Sequence, residues 1–324
     1  GRGRFGIDYI YSEKRLRTPL IKEGDEFIKA TWEDALTYVA RNISAVKQAN
    51  GAGSIGAIGS PRCTNEDNFA LQKFMRTVIG SNNIDSSASF GYAKVQKAWE
   101  KSFGQRNHPV NLQAPLGKEV ILILESDLSV THPVFGLNIL QAKREGSSLI
   151  VADSRETKLT RHSSLWARTK DGTSIALLNG IMKVIIDKEL FDKESAARIT
   201  GFASLKASLE NYTADKVSKI SGIPEEVVTT IAEAIAKAKS SMIALSVSIS
   251  ENTKGMDTVL AAANLVNLLG EERATLQIPA EYSNTYGSYQ MGVRPDDKGI
   301  EEMLYAENKT INAMNIMGED PATT

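Results

Sequence analysis

The stretch Glu119-Val-Ile-Leu-Ile-Leu124 carries no polar side chain after its first position. A strand that is apolar at every position has to be covered on both faces. Pro133 opens a helical pattern that runs to Lys143, Gly146 fits its exit, and Ser148-Leu-Ile-Val-Ala152 supplies a second apolar strand. Strand, helix and parallel strand make a crossover that is right-handed in nearly all folds. This unit commits the chain to α/β architecture with a doubly wound, Rossmann-like parallel sheet.

The same pattern recurs on either side. Thr31 supplies an N-cap hydroxyl and Glu33 and Asp34 an acidic first turn for a helix from Trp32 to about Gln48. Ser54-Ile-Gly-Ala-Ile58 reads as a buried strand, and Phe69, Phe74, Val78 and Ile79 fall at helical intervals between Asn65 and Ile79. Further helices are expected at Ser174–Lys188, Pro224–Lys239 and Thr258–Leu269, with strands at Met242–Val247 and Ala313–Met317. Between Gly270 and Glu301 the sequence turns polar and tyrosine-rich, with Tyr282, Tyr286 and Tyr289. That stretch reads as a functional loop or a crossover between domains.

At 324 residues the chain exceeds what one hydrophobic core usually serves, so two packed lobes are expected. The 38 basic and 39 acidic residues nearly cancel, leaving no global field for a nucleic-acid backbone or an anionic membrane. Cys63 is the single cysteine, which excludes an internal disulfide and any cysteine-held iron–sulfur or zinc cluster within this chain, and points to a reducing compartment. No apolar run is long enough to span a bilayer, so membrane association is expected only through partners.

Gly59-Ser-Pro-Arg-Cys-Thr-Asn-Glu-Asp-Asn-Phe69 and Gln72-Lys-Phe-Met-Arg-Thr-Val-Ile-Gly-Ser-Asn-Asn-Ile-Asp85 resemble the molybdopterin oxidoreductase superfamily, and within it the formate dehydrogenase α-subunit. Gly3-Arg-Phe-Gly6, Arg15-Leu-Arg-Thr-Pro-Leu-Ile21, Ala30-Thr-Trp-Glu-Asp-Ala-Leu36, Asp153-Ser-Arg-Glu-Thr157, Lys170-Asp-Gly-Thr-Ser-Ile-Ala-Leu-Leu-Asn179 and Met317-Gly-Glu-Asp-Pro321 follow in the family's order. The resemblance implies two interleaved α/β domains. Residues 1–115 would start the first, 116–272 would form the Rossmann-like domain, and 273–324 would return to the first. It also implies that the family's N-terminal iron–sulfur domain and C-terminal pterin-capping domain lie outside a chain that starts without methionine and stops at Thr324.

In that family a cysteine or selenocysteine followed by histidine serves a molybdenum or tungsten ion, a soft ligand for a soft metal. The corresponding positions here are Gly91 and Tyr92. Glycine offers no ligand, and a phenol is a poor proton acceptor near neutrality. The arginine expected beside the metal maps near Ala280. No metal ligand is therefore expected in the chain. The guanosine diphosphate of the family's pterin cofactor would fall at Glu125–Asp127, at Asp153, Ser154 and Arg155, and at Lys170, Gly172 and Ser174. Glu125 and Asp127 put two carboxylates where a pyrophosphate would have to sit, so molybdopterin guanine dinucleotide is not expected to bind.

Cys63 precedes a helix that could lower its pKa, but a structural role fits it better than metal ligation. His108, His132 and His162 have no metal-cluster spacing, and His132-Pro133 resembles a helix-opening element of the family. No Gly-x-Ser-x-Gly elbow supports hydrolase chemistry.

The joint loss of ligand, histidine and arginine resembles the G subunit of respiratory NADH:quinone oxidoreductase (complex I). That resemblance implies a non-catalytic scaffold in an electron-transfer complex on the cytoplasmic face of the membrane, with iron–sulfur clusters in the absent domain and other complex subunits as partners. Two alternatives stay open: part of a formate dehydrogenase or related molybdopterin enzyme, and a nucleotide-binding regulatory domain.

Overall fold

A computed structural model describes residues 2–104, 110–246, 254–305, 307 and 310–322. His108, Val247, Thr323 and Thr324, which figure in the readings above, lie outside the described residues. The strands are β1 Leu20–Glu23, β2 Glu26–Lys29, β3 Ile55–Gly59, β4 Ile84–Ser86, β5 Val120–Leu124, β6 Ser148–Ala152, β7 Leu165–Ala167, β8 Ser241–Leu245, β9 Ala274–Gln277 and β10 Ala313–Ile316. They divide between two compact units, Gly1–Gly59 with Glu66–Ser86 and Met291–Thr324, and Ser60–Asn65 with Ser87–Gln290.

In the first unit β3 is the centre of a three-stranded parallel sheet ordered β10-β3-β4, and β1 and β2 form a separate antiparallel hairpin. Thr31 accepts a 3.1 Å bond from the Asp34 N–H and starts the helix Trp32–Asn50. Ile43 and Val46 of that helix pack on a core of Ile55, Ala57, Leu71, Met75, Ile79, Ile84 and Val293. The helix Asn65–Lys73 continues into a π-helical turn, Phe74–Ile79, that closes at Gly80 with φ 82°. The buried Asp85 takes the Ser86 N–H on one carboxylate oxygen and the Ile300 N–H, at 2.8 Å, on the other.

In the second unit five parallel strands run in the order β7-β6-β5-β8-β9, the nucleotide-fold order 3-2-1-4-5. The apolar run of β5 has the predicted cause. Leu122 and Leu124 face a core built with the helices Tyr92–Phe103, Ser174–Asp187, Glu225–Lys237 and Gly255–Leu269. Ile121 and Ile123 face the opposite core, with Phe135 and Ile139 of the helix Pro133–Arg144. Gly146 leaves that helix with φ 112°.

Two segments expected with the first domain pack in the second unit. Residues 87–115 belong there because the helix Tyr92–Phe103 buries Tyr92, Val95, Ala98 and Trp99 in the same core as Leu265 and Val266. Residues 273–290 belong there because β9 pairs with β8 and ends the sheet. The polar text after Gly270 is thus no single loop: it holds β9 and the helices Thr285–Gln290 and Ile300–Tyr305. The hairpin, β7 and the short helices Lys193–Arg198, Phe202–Leu209 and Ala214–Ser221 have no counterpart in the sequence reading.

Candidate functional site

Within the second unit, a 3-10 turn at Ser87–Phe90 leads to Gly91, which precedes the helix Tyr92–Phe103. Gly91 is buried and Tyr92 is 2% exposed. The Tyr92 ring meets Tyr289 edge-on, with centroids 5.1 Å apart and planes at 82°. Tyr289 shares a 2.9 Å hydrogen bond with the Ser89 hydroxyl, whereas the buried Tyr92 hydroxyl has no partner. Burial, reinforced by the neighbouring Tyr286 and Tyr289 hydroxyls, holds the Tyr92 phenol well above the usual tyrosine range. It stays neutral and is neither base nor anionic ligand. The turn therefore presents a backbone and a phenol packed into a hydrophobic core, and this donor set does not fit a molybdenum or tungsten ion.

A second group of residues gathers at the carboxyl ends of β5, β6 and β7. Glu125 follows β5 with φ 40°, a left-handed conformation uncommon for a side chain of its size, and its N–H donates 2.8 Å to the Ala152 carbonyl. Ser126 is buried and accepts the Ser246 N–H at 2.7 Å, tying the end of β5 to that of β8. Asp127 is committed locally: its carboxylate takes the Ser129 hydroxyl at 2.6 Å and its carbonyl takes the Val130 and Thr131 N–H groups.

Asp153, one residue past β6, is 1% exposed. One carboxylate oxygen accepts the Arg155 N–H at 2.9 Å and lies 3.5 Å from the Arg155 guanidinium. The other has no partner. A Ser154–Asp171 hydrogen bond joins this turn to the next, where the Thr173 hydroxyl donates 2.6 Å to the Lys170 carbonyl and Gly172 adopts φ 71°. Lys170 and Gly172 are exposed, and Ser174 is buried at the start of the helix Ser174–Asp187.

The structure thus brings Asp153, Arg155, Lys170, Gly172 and Ser174 onto two linked turns and assigns Asp127 to a helix start. Thr169, buried and without a hydroxyl partner, is an addition that no sequence motif marks, as is Tyr289 beside Tyr92. Cys63 is engaged through its backbone: its N–H donates to Ser60 and its carbonyl accepts the Asn284 amide at 2.8 Å. His132 opens its helix with Nε2 donating 2.8 Å to the Ala280 carbonyl, which leaves Nδ1 to accept from Thr131 at 3.0 Å. His162 is exposed at the end of the helix Lys158–His162. Among the described residues no three His, Cys, Asp or Glu side chains gather as a metal site.

The strand ends do not fit a dinucleotide pyrophosphate either. Leu124 pairs in register with Ala152, so Glu125 and Asp153 occupy the next positions on neighbouring strands, each with an unpaired oxygen. Negative charge brought there meets two acceptors and, among the described residues after β5 and β6, no backbone nest of glycines.

The molybdopterin oxidoreductase family model matches residues 15–324. The chain is 30% identical over 351 residues to an F420-dependent formate dehydrogenase subunit alpha of Methanocaldococcus jannaschii, covering 99% of this chain and 51% of that protein. It is 31% identical over 306 residues to formate dehydrogenase H of Escherichia coli, covering 91% of this chain and 43% of that protein. The chain therefore spans about half the length of these relatives, or less. The solved structure of acetylene hydratase from Pelobacter acetylenicus superposes with a TM-score of 0.72 over 87% of this chain and 38% of its own, at 24% identity, a likeness of fold.

Proposed function

Since this chain belongs to the molybdopterin oxidoreductase family, we propose that it forms the central α/β part of a formate-dehydrogenase-like polypeptide that does not oxidise formate at its own ligand turn. One observation carries the reading: the ligand turn of an otherwise family-like chain presents Gly91 and a core-buried Tyr92. The named formate dehydrogenases among the relatives support the kinship, and the donor set supports the loss of chemistry. On this reading the packed α/β units serve as scaffold for other redox domains and subunits, with no turnover of their own. No proton or hydride step is assigned to Gly91 or Tyr92.

The replacement of the ligand pair also favours a second, finer reading, the G subunit of an NADH:quinone oxidoreductase. The partners would then be subunits of the NADH-oxidising complex, and the iron–sulfur clusters would sit in a domain outside this chain. The described residues contain no helix long and apolar enough to cross a membrane, so a place at the cytoplasmic face would depend on those partners.

Metal analysis of the full-length protein purified with its partners, with a formate oxidation assay, tests the proposal. Iron without molybdenum or tungsten, and no formate turnover, is the expected result. Either heavy metal near one per chain, with turnover, would return the chain to the formate dehydrogenases as a working enzyme.

A further inference from the structure

The second unit has a cleft of about 780 Å³ at the amino ends of its parallel strands, the opposite end of the sheet from the turns after β5, β6 and β7. That volume is in the range of sites that hold small organic ligands. Its walls are the turn Gly270–Arg273 that leads into β9, the last turns of the helices Tyr92–Phe103 and Gly255–Leu269, and the helix Lys193–Arg198. Part of the lining is committed within the fold. The Arg273 guanidinium donates to the Ala236 and Ala238 carbonyls at 2.6 and 3.1 Å, and Asp192 accepts the Ser195 N–H at 2.6 Å to cap the helix Lys193–Arg198. What is left carries both signs of charge. Lys101, Glu271 and Glu272 take part in no ion pair among the described residues, and Arg198 donates from Nε, 3.4 Å to the Glu194 carbonyl, with its two outer nitrogens to spare. Asn267 donates Nδ2 to the Ser102 carbonyl at 3.2 Å and keeps Oδ1 open, and the half-buried Asn264 side chain makes no hydrogen bond among the described residues. Leu260 and Leu269 add apolar surface.

We propose that this cleft binds a short extended segment of a partner protein, in which an apolar residue lies between a basic and an acidic one. A peptide answers each of the open groups. A carboxamide both donates and accepts, as a peptide bond does, so Asn264 and Asn267 match the main chain of the segment. Lys101 and Arg198 suit its acidic side chain, Arg198 through the planar fork that carboxylates accept from. Glu271 and Glu272 suit its basic side chain, and Leu260 and Leu269 the apolar residue between. A free amino acid is too small for the volume, and a polyanion or polycation would meet charges of its own sign. The inference goes beyond the formate-dehydrogenase-like reading and does not require it.

Isothermal titration of the full-length protein with two blocked tripeptides, acetyl-Lys-Leu-Glu-amide and acetyl-Glu-Leu-Lys-amide, and with acetyl-leucine-amide as the uncharged control, tests it. One of the tripeptides should bind with a Kd below about 0.3 mM, at least about tenfold tighter than the control. Asn264→Ala, which places the better helix former on its helix and so should fold, is expected to weaken that binding by at least about fivefold. The exposed double change Glu271→Gln with Glu272→Gln is expected to weaken it by at least about tenfold. No saturable binding of either tripeptide up to about 1 mM, a control as tight as the better tripeptide, or wild-type affinity in either folded variant would each overturn the proposal. Metal content does not enter these titrations, so their failure and that of the preceding reading are separable.

Discussion

Removing one hydroxyl from each of two touching tyrosines should change stability in opposite directions. Tyr92 and Tyr289 pack edge to face, 5.1 Å between centroids, in one core. The Tyr92 hydroxyl is buried without a partner, whereas that of Tyr289 is bonded to Ser89 at 2.9 Å. A buried unsatisfied hydroxyl costs about 1–3 kcal/mol, and phenylalanine keeps the ring contact, so Tyr92→Phe should stabilise the second unit by about 1 kcal/mol. The same deletion at Tyr289 removes a satisfied bond to Ser89, for a loss of about 1 kcal/mol. Tyr92→Ala, which removes the ring as well, should lose about 3–5 kcal/mol. Chemical denaturation read by near-ultraviolet circular dichroism, each variant against wild type, measures the differences, and near 200 residues each kcal/mol moves the thermal midpoint by about 2–4 °C. A destabilised Tyr92→Phe would mean that its hydroxyl has a partner. The sealed aromatic turn that argues against metal binding would then be wrong.

Gly136 allows the helix Pro133–Arg144 to pass the Ser129 backbone, since a Cβ there would lie 2.5 Å from Ser129 Cα; Gly136→Ala should therefore cost about 3 kcal/mol or more in a denaturation midpoint series. Glu125→Gly should relieve the φ 40° conformation and gain about 0.5–1 kcal/mol net of glycine's greater unfolded freedom, measured the same way. Hydrogen bonds from Lys188 and then Lys237 hold the Glu233 carboxyl down to about 2. A depressed carboxylate stabilises the fold above its unfolded value and loses that contribution as pH falls toward the folded value. Stability should accordingly drop between about pH 5 and 2 by more in wild type than in Glu233→Gln, as read by urea titrations across that range.

Periodicity disclosed what burial on two faces requires. The apolar run at Glu119–Leu124, Pro133 at a helix start and Gly146 at its exit were legible because each is a local consequence of the crossover. β7 and β9 were not, because three- and four-residue strands are too short to show alternation and are set by pairing with β6 and β8. Only tertiary packing reveals that Tyr92 and Tyr289, far apart in sequence, share a core. At the candidate site, residue type pointed to Asp153, Arg155 and Ser174, and the proposal that Gly91 stands at the ligand position rests on register with the family. That Glu125 and Asp153 are adjacent with open acceptors depends on strand pairing, and Thr169 carries no motif at all.

The order of the chain bears on its biosynthesis. The second unit is inserted between pieces of the first, and the Asp85 carboxylate waits for an N–H that lies 215 positions downstream, at Ile300. At ordinary translation rates that interval lasts on the order of 10–40 s. Throughout it β3, the central strand of its sheet, has β4 on one side and an open edge on the other until β10 emerges. A nascent chain of this design completes its later unit before its earlier one, and its most vulnerable moment on the ribosome comes with an unpaired strand edge exposed.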